Sequence, residues 1–233
     1  MDNHADPHRG QPVRHGGVPI ENARLVGVLL HGRGASADDI LGLSQEFSAT
    51  DVAYLAPQAS GRTWYPYSFL APIQRNEPGI SSGLRVLAGL VDDLNGQGVS
   101  SDRVVLLGFS QGACLILEFA ARHARRYAGI AALSGGLIGP PGTPRDYAGS
   151  FDGTPVFIGC SDVDAHVPLE RVRESTGVFS RLGAAVDERI SRHGPHGYPG
   201  RVGRGECDVA RNRASAMKDL REKSAMSERR ISV

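Results

Sequence analysis

The chain has 233 residues, 40% of them hydrophobic and 22% charged, with a formal net charge of +1. This length allows one domain with a sizeable core, and a charge so close to zero does not favour a nucleic-acid partner. No apolar run approaches the ~20 residues that span a membrane, and the first residues lack the apolar core of a secretory signal. The three cysteines lie far apart without C-x-x-C spacing, which argues against disulfides or a zinc site. We expect a reduced, cytoplasmic protein.

The first part of the chain contains a polar segment, a strand and a helix start. Residues 1–22 are rich in His, Gly and Pro, so we expect a flexible lead-in before the folded domain. The continuous apolar run LVGVLL at 25–30 is typical of a strand buried on both faces. Ser36 and Asp39 then have the spacing of a capping box, which predicts a helix over 37–47.

The rest of the chain up to about residue 190 alternates between apolar runs and helical periodicity. The runs that predict further strands are 52–57, 103–110, 129–135, 155–162 and 185–190. The segments that predict helices are about 79–95, the apolar stretch after residue 110, and about 168–182. Strands that alternate with helices indicate an α/β domain, here 23–190, with a mostly parallel sheet covered by helices on both faces.

One stretch has the pattern of a catalytic nucleophile. Gly108-Phe109-Ser110-Gln111-Gly112 matches G-x-S-x-G and lies between a predicted buried strand and a predicted helix. In that context the pattern predicts a tight turn, called a nucleophile elbow, which exposes the serine oxygen at the start of the helix. The alternative is that Ser110 only caps the helix, but the strand on one side and the helix on the other favour the nucleophile.

A serine nucleophile requires hydrogen-bond donors for the developing oxyanion. The backbone N–H of Gln111, next to the serine, is one candidate. The second should come from a loop after an earlier strand, and His31-Gly32-Arg33-Gly34 follows the strand at 25–30, so we expect the N–H of Arg33. Without the elbow, this glycine-rich stretch would be interpreted as an ordinary turn.

The acid and base of a triad should follow the serine in the order Asp or Glu, then His. Asp164 comes just after the strand at 155–162, at the carboxyl edge of the sheet where active sites form, and is our candidate acid. Asp162 is the competitor and could merely cap the turn. His166 is too near Asp164 in sequence to approach the serine from the opposite side, so we interpret it as part of the loop.

These residues resemble the phospholipase/carboxylesterase family of α/β-hydrolases, which includes the acyl-protein thioesterases. The similar stretches are spread over about residues 25–190, which is most of the chain: LLHGRGASADDIL, YLAPQASGRTWYPYSF, VVLLGFSQGACLILEFAARH, LSGGLIGP and GCSDVDAHVPLERV. The resemblance implies an α/β-hydrolase fold, with Ser110 as nucleophile, Asp164 as acid, and Arg33 and Gln111 as oxyanion donors. It also implies that Trp64 and neighbouring aromatic residues line the acyl pocket.

The C-terminal segment 191–233 departs from the family pattern. Residues 1–190 hold 16 arginines and 20 acidic residues, whereas 191–233 hold 10 basic and 5 acidic residues. The family histidine lies in a motif similar to Y-P-G-M-G-H-T, but here SRHGPHGYPG follows VDERI. Shifting the codon frame by one base could convert this stretch into SPGMGHTVIPDELAE. We therefore expect a reading-frame shift near residue 190 and a disordered basic tail.

The same segment contains the candidate base. In the shifted frame the family histidine would span Pro195 and His196, so His196 is our candidate as the chain is written. His193 lies three residues early, and the alternative that neither histidine has a role remains open.

The sequence thus predicts a serine hydrolase of small or single-chain acyl esters or thioesters. The chemistry would need no metal or organic cofactor, and the expected partner is the small-molecule substrate. The main alternative is a catalytically impaired α/β-hydrolase scaffold, whose basic tail could bind something else. A second alternative is a carbon–carbon or dienelactone-type hydrolase. A chain that resembles the dienelactone hydrolases would carry cysteine at the elbow, and Ser110 argues against it.

Overall fold

The computed structural model describes residues 6–47 and 50–191, in which strands and helices alternate along the chain. The strands are β1 (Val13–Gly17), β2 (Leu25–Leu30), β3 (Val52–Pro57), β4 (Val104–Phe109), β5 (Gly129–Leu133), β6 (Pro155–Ser161) and β7 (Ala185–Ser191). The helices are α1 (Ala37–Gly42), α2 (Gly79–Gly96), α3 (Gln111–Arg122) and α4 (Leu169–Arg181). The strands form one sheet in the order β1-β3-β2-β4-β5-β6-β7, antiparallel between β1 and β3 and parallel elsewhere. The predicted α/β architecture is confirmed.

The central strands are apolar throughout because both faces of the sheet are covered. In β2, Val28 and Leu30 belong to the core that packs against α2, α3 and α4. The intervening Leu29 points to the opposite face, where it joins Ile40 of α1. Successive side chains of a strand alternate between faces, so a strand covered on both sides shows no polar alternation. This is why LVGVLL could be recognised as a strand.

Two elements differ from the sequence prediction. The expected lead-in at 1–22 contains β1, which pairs with β3, and His8, only 3% exposed. The strand VRHGG gave no signal because it lies at the sheet edge, where most of its residues keep contact with solvent. The predicted helix at 37–47 is shorter: the capping box of Ser36 is present, but α1 ends at Gly42 and a 3₁₀ turn follows.

Helix α3 lies unusually close to the carboxyl end of the sheet. A Cβ atom on Gly112 would lie 2.4 Å from the carbonyl oxygen of Leu30 and 2.6 Å from that of His31. A Cβ atom on Gly108 would lie 2.5 Å from the backbone of Gly112. Because backbone atoms cannot move aside as a flexible side chain can, both positions require glycine.

We predict that Gly112→Ala lowers the free energy of unfolding by about 1–3 kcal/mol through overpacking. Gly89→Ala is the matched control, since Gly89 is exposed in the middle of α2 with open space around its Cβ position. That change should be neutral or stabilise by up to about 1 kcal/mol through helix propensity. Urea unfolding followed by circular dichroism measures both; equal midpoints for the two variants would contradict the close approach of α3.

Candidate active site

Ser110 is the single residue between β4 and α3, and its backbone is strained. Its φ of 52° and ψ of −115° are rarely adopted by a non-glycine residue. Two hydrogen bonds hold this conformation: the Ser110 N–H donates to the Leu133 carbonyl (2.8 Å), and the Ser110 carbonyl accepts from the Cys114 N–H (3.1 Å). Ser110 is therefore at a tight strand-to-helix turn, as the elbow pattern predicts, and it is half-buried at the start of α3.

The glycine-rich loop after β2 lies directly beside this turn. A Cβ on Gly32 would be 3.4 Å from the Cβ of Ser110, so the loop backbone and the serine are neighbours. The backbone N–H groups of Arg33 and Gln111 make no hydrogen bond with any other described residue. The structure thus brings both candidate donors to the vicinity of Ser110, with their N–H groups unused by the fold.

The Gln111 side chain also makes two buried hydrogen bonds that the sequence did not indicate. Its side chain is 5% exposed; its Oε1 accepts from the Trp64 N–H (2.8 Å) and its Nε2 donates to the Tyr65 carbonyl (2.8 Å). Both ends of the amide are thereby satisfied inside the protein. The residue after the serine therefore fixes the backbone of the aromatic segment to the elbow.

Trp64 is buried behind the cleft wall that its neighbours form. The side chain is fully buried, its indole N–H donates to the His31 carbonyl (3.0 Å), and its ring packs against the rings of His8 and His31. The aromatic residues that follow it, Tyr65, Tyr67 and Phe69, line the cleft. The expectation of an aromatic wall thus agrees with the structure for the neighbours of Trp64, whereas Trp64 itself is excluded from the cleft surface by burial.

The cleft over Ser110 has a volume of about 470 Å³. Its walls are the Arg33 side chain, the aromatic segment 65–69, the start of α3, and the loop after β6 at His166 and Val167. Burial raises the pKa of the Cys114 thiol on the cleft wall to about 11, so this cysteine stays protonated and is a poor nucleophile. Ser110 is the better nucleophile candidate here.

Asp164 is fixed within the loop after β6. Its Oδ1 accepts from the backbone N–H groups of His166 (2.8 Å) and Val167 (3.0 Å). The Cys160 thiol, 3.8 Å from Oδ2, has its pKa raised to about 12 by burial and by the Asp164 charge, and so remains a donor to the carboxylate. Asp162 is exposed, and its N–H donates to the Ser191 carbonyl at the end of β7. The Asp164 carboxylate is thus held in place by the backbone of its own loop.

The candidate bases lie outside the described residues: His196 and His193 both follow residue 191. His166, interpreted from sequence as part of the loop, lines the same cleft as Ser110. Within the described ranges, no three His, Cys, Asp or Glu side chains lie close enough together to hold a metal ion. None of the helices described here is long and apolar enough to cross a membrane.

Comparison with known proteins defines the class. Residues 18–201 match the phospholipase/carboxylesterase family, and the chain belongs to this family of α/β-hydrolases. The crystal structure of a phospholipase/carboxylesterase from Dyadobacter fermentans DSM 18053 is 38% identical, with a TM-score of 0.79, and the match covers 89% of this chain and 96% of that one. Fold and family thus place the chain in one class, the α/β-hydrolases of the phospholipase/carboxylesterase family.

Two curated relatives are more distant. NocK of Nocardia uniformis subsp. tsuyamanensis is 28% identical over 208 residues, which are 79% of this chain and 59% of that protein. Acyl-protein thioesterase 1 of Kluyveromyces lactis is 29% identical over 104 residues, 44% of this chain and 46% of that protein. The matched part is therefore about half the length of each of these relatives.

Two buried histidines hold Trp64 and the segment before it in place. His8 accepts from the Ser60 N–H at Nδ1 (3.1 Å), and its Nε2 lies 2.8 Å from the Trp64 carbonyl, to which it donates. His31 accepts from the Ala59 N–H at Nε2 (3.1 Å) and uses Nδ1 as donor. Each ring must stay neutral to keep its acceptor nitrogen, and burial lowers the pKa of both.

We predict that the protein loses stability in mild acid. In the unfolded chain these histidines bind protons as the pH falls below about 6.5, whereas in the folded protein their lowered pKa keeps them neutral. The free energy of unfolding therefore decreases as the pH falls, by up to about 1.4 kcal/mol per pH unit for each histidine. Urea unfolding between pH 8 and 5 measures the slope. His8→Gln should reduce it, and the control His15→Gln, an exposed position on β1, should not. An unchanged slope in His8→Gln would exclude His8 as its source.

Proposed function

We propose that this protein is a serine esterase that cleaves small or single-chain carboxylic esters or thioesters through an acyl-enzyme. The observation that carries the proposal is the strained Ser110 at the mouth of an open cleft, beside two backbone N–H groups that the described fold does not use. The family supplies the ester chemistry, and the similarity to an acyl-protein thioesterase supports the thioester alternative.

The proposed mechanism follows the chemistry of serine nucleophiles. Ser110 Oγ attacks the substrate carbonyl carbon while a histidine accepts its proton. The N–H groups of Gln111 and Arg33 stabilise the negative charge on the carbonyl oxygen. The histidine then protonates the leaving alcohol or thiol, and water hydrolyses the acyl-enzyme. This sequence of steps needs no metal or organic cofactor.

Asp164 is proposed to hold the histidine in the correct tautomer. Its Oδ1 is fully engaged by two backbone N–H groups, which leaves Oδ2 as the oxygen that can accept from an imidazole. The neighbouring thiol of Cys160 is a weak donor and competes little for Oδ2. Asp162 is exposed at the end of the sheet, whereas Asp164 is half-buried.

His196 is the proposed base of the chain as written, and the family match at 18–201 includes it. A second candidate state is a catalytically impaired α/β-hydrolase scaffold. It is favoured by the change of charge after residue 190 and by the altered motif around His193 and His196. The two states differ in whether the histidine reaches the serine oxygen, which requires a separation of about 2.6–3.2 Å.

The substrate is proposed to place its acyl chain along the aromatic wall. Tyr65, Tyr67 and Phe69 present apolar surface beside Ser110, and a cleft of about 470 Å³ is of a size that suits a small ligand. The open cleft favours short acyl groups or a single chain over substrates with two chains.

We predict that Ser110→Ala reduces hydrolysis of 4-nitrophenyl acetate by about 10⁴–10⁶-fold, because removal of a triad member eliminates the covalent route. Ser180→Ala is the control, since Ser180 is exposed on α4, away from the cleft, and should keep the wild-type rate. Labelling by a fluorophosphonate probe provides a second measurement. A Ser110→Ala variant that hydrolyses the ester at the wild-type rate would rule out Ser110 as nucleophile.

We predict that restoring the reading frame near codon 190 raises activity, by about 100-fold if the written histidine is misplaced by 1 Å. Within the chain as written, His196→Ala should abolish any turnover and the control His193→Ala should not. The measurement is kcat/KM with 4-nitrophenyl acetate for the written and restored proteins. Equal values would exclude the frame shift and support His196 as the base.

A further inference from the structure

The charged groups on the cleft wall are of one sign. Among the described residues that line the cleft, Arg33 carries a positive charge, His166 adds an imidazole, and no aspartate or glutamate contributes to the wall. Asp164 does not line the cleft, and its Oδ1 accepts from two backbone N–H groups of its own loop. A partly enclosed cleft lined by positive groups attracts anions. An uncharged ester would not make use of this positive charge.

The Arg33 guanidinium is held in one orientation. Its Nη1 donates to the Pro66 carbonyl and its Nη2 to the Tyr67 carbonyl, both at 2.7 Å. A guanidinium has five N–H donors, so three remain after these two bonds. The group is exposed at the cleft, and its anchoring reduces the entropy that would be lost when it binds an anion.

His166 is placed on the same cleft by its backbone. Its N–H donates to Asp164 Oδ1, and the next residue, Val167, is 4% exposed and anchors the loop. Its imidazole is exposed and has no hydrogen-bond partner in residues 6–47 and 50–191. An imidazole offers at least one N–H donor in either protonation state, so it can bind an anionic oxygen.

The segment beside Arg33 adds to the positive potential. The Arg75 guanidinium stacks over the Tyr67 ring, 4.4 Å from its centroid, and Tyr67 is 48% exposed at the cleft. Residues 58–76, which include this wall, contain two arginines and no aspartate or glutamate. Arg62 lies 3.5 Å from Asp39 Oδ2, so the wall combines apolar rings with the positive charges of Arg33 and Arg75.

We propose that Arg33 and His166 bind a carboxylate on the substrate, and that this enzyme selects hemi-esters of short dicarboxylic acids. The proposal rests on the proposed esterase function and specifies the substrate class of the same cleft. Ser110 would attack the ester carbonyl while the second, ionised carboxylate contacts the two side chains. Hydrolysis breaks the acyl C–O bond; water supplies the hydroxyl of the new carboxyl group and the proton of the alcohol. A carboxylate fits the planar donor fork of Arg33 with two parallel hydrogen bonds.

The binding experiment does not depend on turnover. In the full chain with Ser110→Ala, calorimetric titration compares monomethyl glutarate with methyl pentanoate, in which a methyl group replaces the carboxylate. We expect tighter binding of monomethyl glutarate, and His166→Gln should weaken it about tenfold relative to methyl pentanoate. Arg14→Gln, a charge change on the exposed edge strand, should not alter this ratio. Arg33→Gln should also reduce the ratio, and methyl pentanoate binding reports whether the cleft remains intact.

Turnover provides the second measurement. The ratio of kcat/KM for monomethyl glutarate to that for methyl pentanoate should fall about tenfold in His166→Gln. If neither ester is hydrolysed but binding still discriminates, the proposed catalysis fails and the carboxylate site stands. Equal ratios in wild type and His166→Gln, in both binding and turnover, would overturn the carboxylate site. Tighter binding of inorganic phosphate than of monomethyl glutarate would overturn the assignment to a carboxylate.

Discussion

The start of helix α3 and the carboxyl ends of β2 and β4 meet without space for a side chain between them. Gly108 and Gly112 allow this contact, since a Cβ at either position would overlap backbone atoms. The close approach forces the chain to reverse within one residue, which places Ser110 in its strained conformation. It also places the loop after β2 beside the serine. The candidate nucleophile and the candidate oxyanion donors are thus arranged by one backbone contact.

A chain of buried polar contacts extends this arrangement to the cleft wall. Gln111 holds the backbone of Trp64, and the Trp64 ring in turn packs against the rings of His8 and His31. His8 comes from the N-terminal segment, so residues far from Ser110 in sequence help to fix the aromatic wall. Buried polar networks are rigid when every donor and acceptor is satisfied. Protonation of either histidine removes an acceptor from this network, which couples the geometry of the wall to pH.

The sequence predicted the sheet and the elbow because both have local causes. Strands covered on both faces are continuous apolar runs, and the tight turn requires glycines at fixed spacing. The edge strand β1 has neither signal, because its pairing with β3 is made by backbone groups, whatever its side chains. Likewise, Trp64 is buried and its backbone N–H donates to the Gln111 side chain. These two residues are 47 positions apart, and no local sequence pattern reports such a contact.

The position of His166 in the cleft was missed for a related reason: its closeness to Asp164 in sequence favoured a loop residue, and no local pattern reports that it shares a cleft with Ser110. In the structure the loop after β6 serves two purposes through one carboxylate. Asp164 Oδ1 fixes the backbone of His166 and Val167, whereas Oδ2 remains for the proposed catalytic imidazole. Any movement of Asp164 would therefore displace a cleft wall together with the proposed triad. Because one side chain positions both, substrate selection and catalysis in this protein are expected to change together when this loop changes.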